Sequence, residues 1–137
     1  MDIHTHHLID QELCGQPVDL QPGYCRVSFT ATDRMAADDK GLVHGGFVFG
    51  LADYAAMLAV NDPHVVLGAA EVRFLKPVRI GAILSAVAEA LAFRASARIS
   101  INSSRSCPIS SSSPAPASAG GFWTSSRKSQ DSAVGAT

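Results

Sequence analysis

The sequence predicts an α+β fold in which antiparallel strands surround one long buried helix. Three observations carry this expectation. Residues 45–60 form an almost unbroken apolar run; Tyr24–Ala31 alternates apolar and polar side chains; and further strand signals follow the run, over Val65–Lys76 and Ile83–Phe93.

Residues 1–19 form a polar N-terminal segment without the apolar core of a signal peptide. His4, His6 and His7 suggest a metal site, but no acidic partner is spaced to join them and a terminus is usually mobile, so solvated histidines are expected. From Tyr24, residues Cys25, Val27, Phe29 and Ala31 share one face and Arg26, Ser28 and Thr30 the other, the pattern of a half-buried strand.

A polar stretch, Asp33–Lys40, leads to His44-Gly45-Gly46, expected to be the loop that enters the helix. Paired glycines let backbone approach a ligand closely, and first-turn amides have no acceptor inside the helix. At the positive end of the helix dipole they suit an oxyanion or a polarised carbonyl oxygen. A plain tight turn is the simpler reading of Gly-Gly taken alone.

The helix has no water-facing stripe, so it should be wrapped on most sides. Asp53 interrupts it. An unpaired carboxylate out of water costs several kcal/mol, and Asp is a weaker helix former than the Ala, Leu and Met around it. Core stability favours Ala or Leu there. Asp53 therefore either lies on a narrow solvated face, or pairs with Arg73 or Lys76, or does chemistry. Gly45 and Asp53 are eight residues apart, a rise of about 12 Å, too far for both to touch one carbonyl group. If both act on one substrate, a second antiparallel copy of the helix must supply one of them, as in a two-fold dimer.

Asn61-Asp62-Pro63 breaks the helix. A strand over Val65–Lys76 is expected to stop at Pro77, and a third over Ile83–Phe93, although the alanines there suit a helix almost as well.

The residues His44-Gly45-Gly46, Phe49, Leu51-Ala52-Asp53, Ala55, Asn61, Gly68-Ala69, Phe74-Leu75-Lys76-Pro77 and Gly81 together resemble the hotdog-fold acyl-CoA thioesterases, in particular the phenylacetate-pathway branch. The resemblance covers roughly residues 20–92. It implies a hotdog fold, an antiparallel sheet wrapped around one long central helix, with such units paired side by side as homodimers or homotetramers. It further implies hydrolysis of an aryl- or short/medium-chain acyl-CoA without a cofactor. Asp53 would be nucleophile or general base, and Gly45 N–H, from the partner subunit, would polarise the thioester carbonyl. His44 and Gly46 would support the turn. Many relatives have Asn seven residues before the first motif glycine; here Asp38 stands there, an acceptor that cannot donate as an amide does.

After Ala92 the composition changes. Roughly a third of residues 96–129 are serine, and after Glu89 one acid, Asp131, faces five bases. Such a stretch buries too little apolar area to offset its ordering entropy. Residues 20–92 are therefore set apart as a thioesterase-like core and residues 93–137 as an atypical Ser/Pro-rich C-terminal third. That third is either a natural basic tail or, the favoured reading, translation in a frame shifted near residue 92, which would cost the domain its last strands and leave an unpaired edge.

The whole chain has 137 residues, is 47% hydrophobic and has a formal charge of −1, so global electrostatics make no case for nucleic acid or membrane as a partner. The helix is too short, and too interrupted by Asp53, to span a bilayer. Cys14, Cys25 and Cys107 have neither metal nor disulfide spacing, which suits a reducing cytoplasm. Two other functions fit the same scaffold: a noncatalytic acyl-CoA binding module, and a hydratase or dehydratase, ranked lower because no Asp and His are paired at a suitable loop spacing.

Overall fold

The computed structural model describes residues 1–91, 94–102 and 122–127. The chain begins with a one-turn helix, α1 (Gln11–Cys14), whose N-cap Asp10 accepts hydrogen bonds from the Glu12 and Leu13 amides. Gly15 ends it at φ 98°. Only glycine serves there, because a Cβ would meet Leu51 Cδ1 at 2.6 Å and Val27 Cγ1 at 2.7 Å.

β1 (Gln16–Gln21) and β2 (Tyr24–Thr30) form a hairpin, a short 3-10 turn (Asp33–Met35) follows, and α2 (Gly45–Val60) is the long helix. β3 (Ile83–Leu91), β4 (Arg94–Asn102) and β5 (Phe122–Arg127) complete a five-stranded antiparallel sheet in the order β1-β2-β3-β4-β5. The described sheet thus begins at Gln16 and continues past Ala92.

Side-chain alternation sets the register. Cys25, Val27 and Phe29 of β2, Leu84, Ala86 and Ala88 of β3, and Ala95, Ala97 and Ile99 of β4 are buried beneath α2. Val27 stands opposite Ala86, and Ala88 opposite Ala97. The alanines that made Ile83–Phe93 ambiguous are explained by this packing: small side chains in mid-sheet let the helix lie close. A larger residue at Ala86 would push the helix away, at about 1–3 kcal/mol. The described part of that strand ends at Leu91; Phe93 lies outside the described residues.

β4 corrects the expectation from composition that the final strands would be lost. Its serines and arginines alternate with Ala95, Ala97 and Ile99, and period two suffices to bury one face whatever the overall polarity. β5 pairs with β4 through Phe122–Arg127, and the remaining C-terminal residues lie outside the described ones.

α2 is wrapped as its composition demands, with Val48, Leu51, Ala52 and the whole of Tyr54–Ala59 buried. Each large apolar side chain among them contributes about 1.5–3 kcal/mol by leaving water. Asn61 ends the helix in the left-handed conformation (φ 50°), its amide donating to the Met57 carbonyl. Asparagine tolerates that conformation better than most residues.

The strand expected over Val65–Lys76 does not form; this segment carries no strand among the described residues. Its large apolar residues divide between the buried Val65, the half-buried Val72 and the exposed Val66, Leu67, Phe74 and Leu75. A strand needs a partner edge as well as a pattern, and the segment pairs with neither edge of the described sheet. It rejoins the body where Val43 N–H donates to the Val78 carbonyl (2.9 Å) and Leu42 bridges Arg79. Among the described residues no helix is long and apolar enough to cross a membrane.

Candidate active site

Asp53 sits midway along α2, between buried Ala52 and buried Tyr54. Its Oδ1 is buried and accepts no hydrogen bond. Burial pushes the carboxyl pKa up, and the His6 charge opposes that rise. The electrostatic partner is thus His6, rather than the Arg73 or Lys76 weighed from sequence. A buried polar atom without a partner costs about 1–3 kcal/mol, which packing alone gives no reason to retain. Such an oxygen is free to meet a substrate carbon or a water molecule.

At the other end of the helix, Gly45 and Gly46 are its first two residues rather than a loop before it. The chain enters through Asp38, whose Oδ1 accepts from the Lys40 and Leu42 amides at 3.1 and 2.9 Å. Asp38 therefore shapes the approach to the helix, a task for an acceptor. His44 is the N-cap residue, but its side chain makes no capping hydrogen bond. Its amide donates to the Met35 carbonyl (2.9 Å), and its ring stands edge-on to Phe47 with centroids 6.2 Å apart. The ring also lies over Gly46, where a Cβ would be 3.1 Å from His44 Nε2.

The Gly45 and Gly46 N–H groups occupy the first turn, where helix geometry offers them no acceptor. Gly45 borders a cavity of about 270 Å³ that Val48, Phe74, Lys76 and Val78 also line. The Phe-Leu-Lys-Pro segment thus forms a wall of that cavity. Gly45 and Asp53 lie on one continuous helix, so their separation of about 12 Å stands.

Reasoning from sequence did not place His6 in this region. Nine residues of the chain, including α1, separate it from β1, and it reaches the helix only through folding of the N-terminal segment across it. The spacing of Gly50, Tyr54, Met57 and Asn61 along one helix face was the available signal, since that face needs a cover. Among the described residues, no group of His, Cys, Asp and Glu side chains is arranged to hold a metal ion.

The family model described as "Thioesterase superfamily" matches residues 40–99, a span that holds the helix entrance, all of α2 and the start of β4. The crystal structure of an uncharacterized protein from Pyrococcus horikoshii is 39% identical, with a TM-score of 0.72 over 93% of this chain and 92% of that one. A mutant form of the phenylacetic acid degradation protein PaaI from Thermus thermophilus is 25% identical, with a TM-score of 0.61 over 84% of this chain and 93% of that one. Methylthioribose-1-phosphate isomerase from Aquifex aeolicus is 60% identical over 81 residues, which are 59% of this chain and 18% of that protein. The chain therefore spans less than a fifth of the isomerase, and the whole enzyme's activity is not carried over to it.

Proposed function

The chain belongs to the thioesterase superfamily of hotdog-fold proteins, and on that premise we propose that it hydrolyses an aryl- or short/medium-chain acyl-CoA to the free acid and CoA. The observation that carries this reading is the buried, unpartnered Asp53 Oδ1 in the middle of an otherwise apolar helix.

In the proposed site, Gly45 N–H of one subunit polarises the thioester carbonyl and Asp53 of the other acts on it. The 12 Å between these residues within one chain is the reason for a second subunit. The exposed Phe74 and Leu75, which line the Gly45 cavity, supply apolar surface for that subunit to cover. The acyl group would enter the cavity bordered by Gly45 and Phe74.

A thioester carbonyl is already electrophilic, so the protein's chief task is to stabilise the developing oxyanion, for which one aimed donor is worth about 2.7–4 kcal/mol. Asp53 then follows one of two routes. By direct attack, an Asp53 oxygen bonds to the carbonyl carbon, the C–S bond breaks, CoA leaves as thiolate, and water hydrolyses the resulting anhydride. As general base, Asp53 takes a proton from water, whose oxygen bonds to the carbonyl carbon before the C–S bond breaks. Both routes need Asp53 ionised and both end in acid and CoA. No cofactor takes part, and the proposed setting is the cytoplasm.

The test is hydrolysis of a panel of aryl- and short- to medium-chain acyl-CoAs by the full chain, with Asp53→Asn alongside and oligomeric state followed by light scattering. Turnover by an oligomer that disappears in Asp53→Asn supports the reading. Tight acyl-CoA binding without turnover in either protein would replace it with a binding module.

A further inference from the structure

The N-terminal segment is tied across α2 rather than free in solvent. At one end Asn61, just past the helix, accepts from the His4 amide through Oδ1 and donates through Nδ2 to the Asp2 carbonyl, both at 2.8 Å. At the other end Cys14 lies over Gly50, where a Cβ would stand 3.8 Å from its sulfur. Between these anchors Thr5 is 5% exposed, and its Oγ1 lies 2.7 Å from His6 Nδ1. His6 is half-buried, with φ 53° and its ring centroid 6.2 Å from that of Tyr54. The left-handed conformation is uncommon for a residue other than glycine and persists where surrounding contacts impose it. The strap therefore runs along the helix face that carries Gly50, Tyr54 and Asn61, beside Asp53.

We propose that His6 is a positioning residue for Asp53: the strap sets its imidazole against the helix beside the carboxylate, Thr5 holds the ring through Nδ1, and the imidazolium supplies the counter-charge that the apolar helix lacks. This rests on the reading of Asp53 as the reacting carboxylate.

The titratable groups around Asp53 are His6 from the strap, Cys14 and behind it Asp10 from the α1 region, Tyr54 on α2 itself, and Cys25 of β2 beyond the tyrosine. Burial raises the Cys14 and Tyr54 pKa values, so both remain neutral near pH 7 and offer no positive charge. His6 alone among these groups can be cationic. Its attraction counters the effect of burial on Asp53 and favours the ionised form that either hydrolytic route requires.

The test follows the Asp53 carboxyl carbon by NMR against pH in the labelled full chain, with Asp53→Asn assigning the resonance. In His6→Gln the Asp53 midpoint moves to higher pH. In His6→Lys, which keeps a positive charge, it returns toward wild type; a merely structural role leaves Gln and Lys alike. The acid limb of the kcat/KM profile moves with the midpoint, while kcat/KM on the alkaline side of that limb stays within about threefold. An unmoved midpoint in His6→Gln of native circular dichroism overturns the proposal, as does an equal shift in Gln and Lys. Should wild type hydrolyse no thioester, the functional reading fails, and the titration still decides whether His6 acts on Asp53.

Discussion

The Phe74 ring closes over Gly45, so that a Cβ at position 45 would lie 3.2 Å from its Cε1 and 3.4 Å from its Cζ. The backbone amide proposed to polarise the substrate therefore sits where even one added methyl group must displace a neighbour. The contact is with the far end of a side chain, which can move.

Gly45→Ala should accordingly fold. Helix propensity favours Ala over Gly by up to about 1 kcal/mol, which offsets the displacement of Phe74. Activity should fall by about 10- to 100-fold, because the methyl group crowds the amide that meets the developing oxyanion. Steady-state kinetics beside thermal melts check this, and a loss of stability matching the loss of activity would contradict it.

Asp53→Asn should abolish turnover and raise stability at neutral pH. Burial lifts the Asp53 pKa in the folded state, so the folded protein binds this proton more tightly than the unfolded chain. The associated stability is complete below the unfolded value of 3.8 and is lost as pH rises through the higher folded value. Asn carries no charge to desolvate. The variant should melt above wild type at pH 7, and the gap should close in acid.

A site shared between subunits makes a prediction about mixtures. Co-expressed Gly45→Ala and Asp53→Asn chains, each of low activity alone, form hybrid dimers in which one site is doubly altered and the other has both native groups. With random pairing, about a quarter of all sites should regain wild-type turnover. A site complete within one chain would show no recovery.

Asn61 has two roles that substitution separates. Asn61→Gly keeps the left-handed cap but gives up the bonds to His4 and Asp2, so global stability should change by about 1 kcal/mol or less while the first residues become sensitive to limited proteolysis. Asn61→Ala strains the cap as well and should cost about 1–2 kcal/mol. Urea unfolding and protease digestion read the two effects independently.

Cys25 is fully buried on β2, and burial pushes its pKa up to about 12. It should therefore resist thiol reagents near pH 8 in the native protein and react on unfolding. Because the folded thiol keeps its proton, its contribution to stability is complete below 9.0 and declines as pH rises toward about 12. Denaturation followed across the alkaline range should show that decline, and Cys25→Ala should flatten it.

The local features were legible in the residues themselves. Apolar density identified α2, period two identified β2, and one charged side chain in an apolar helix marked Asp53, because each signal lies within a few turns of backbone. The strand expected at Val65–Lys76 had the pattern but lacked an edge to pair with, while the alternation of Ala95, Ala97 and Ile99 outweighed the polar composition of β4.

Contacts between distant segments belong to the tertiary structure alone. The Glu12–Arg34 ion pair at 2.9 Å, the Phe74 cover on Gly45 and the strap that lays the His6 ring beside Tyr54 each join residues whose sequence spacing carries no periodicity. The sequence determined which helix is buried and which carboxylate is costly there, since burial and charge are properties of individual side chains. Which imidazole answers that charge was decided by how the chain closes on itself, because an electrostatic partner is selected by proximity in space.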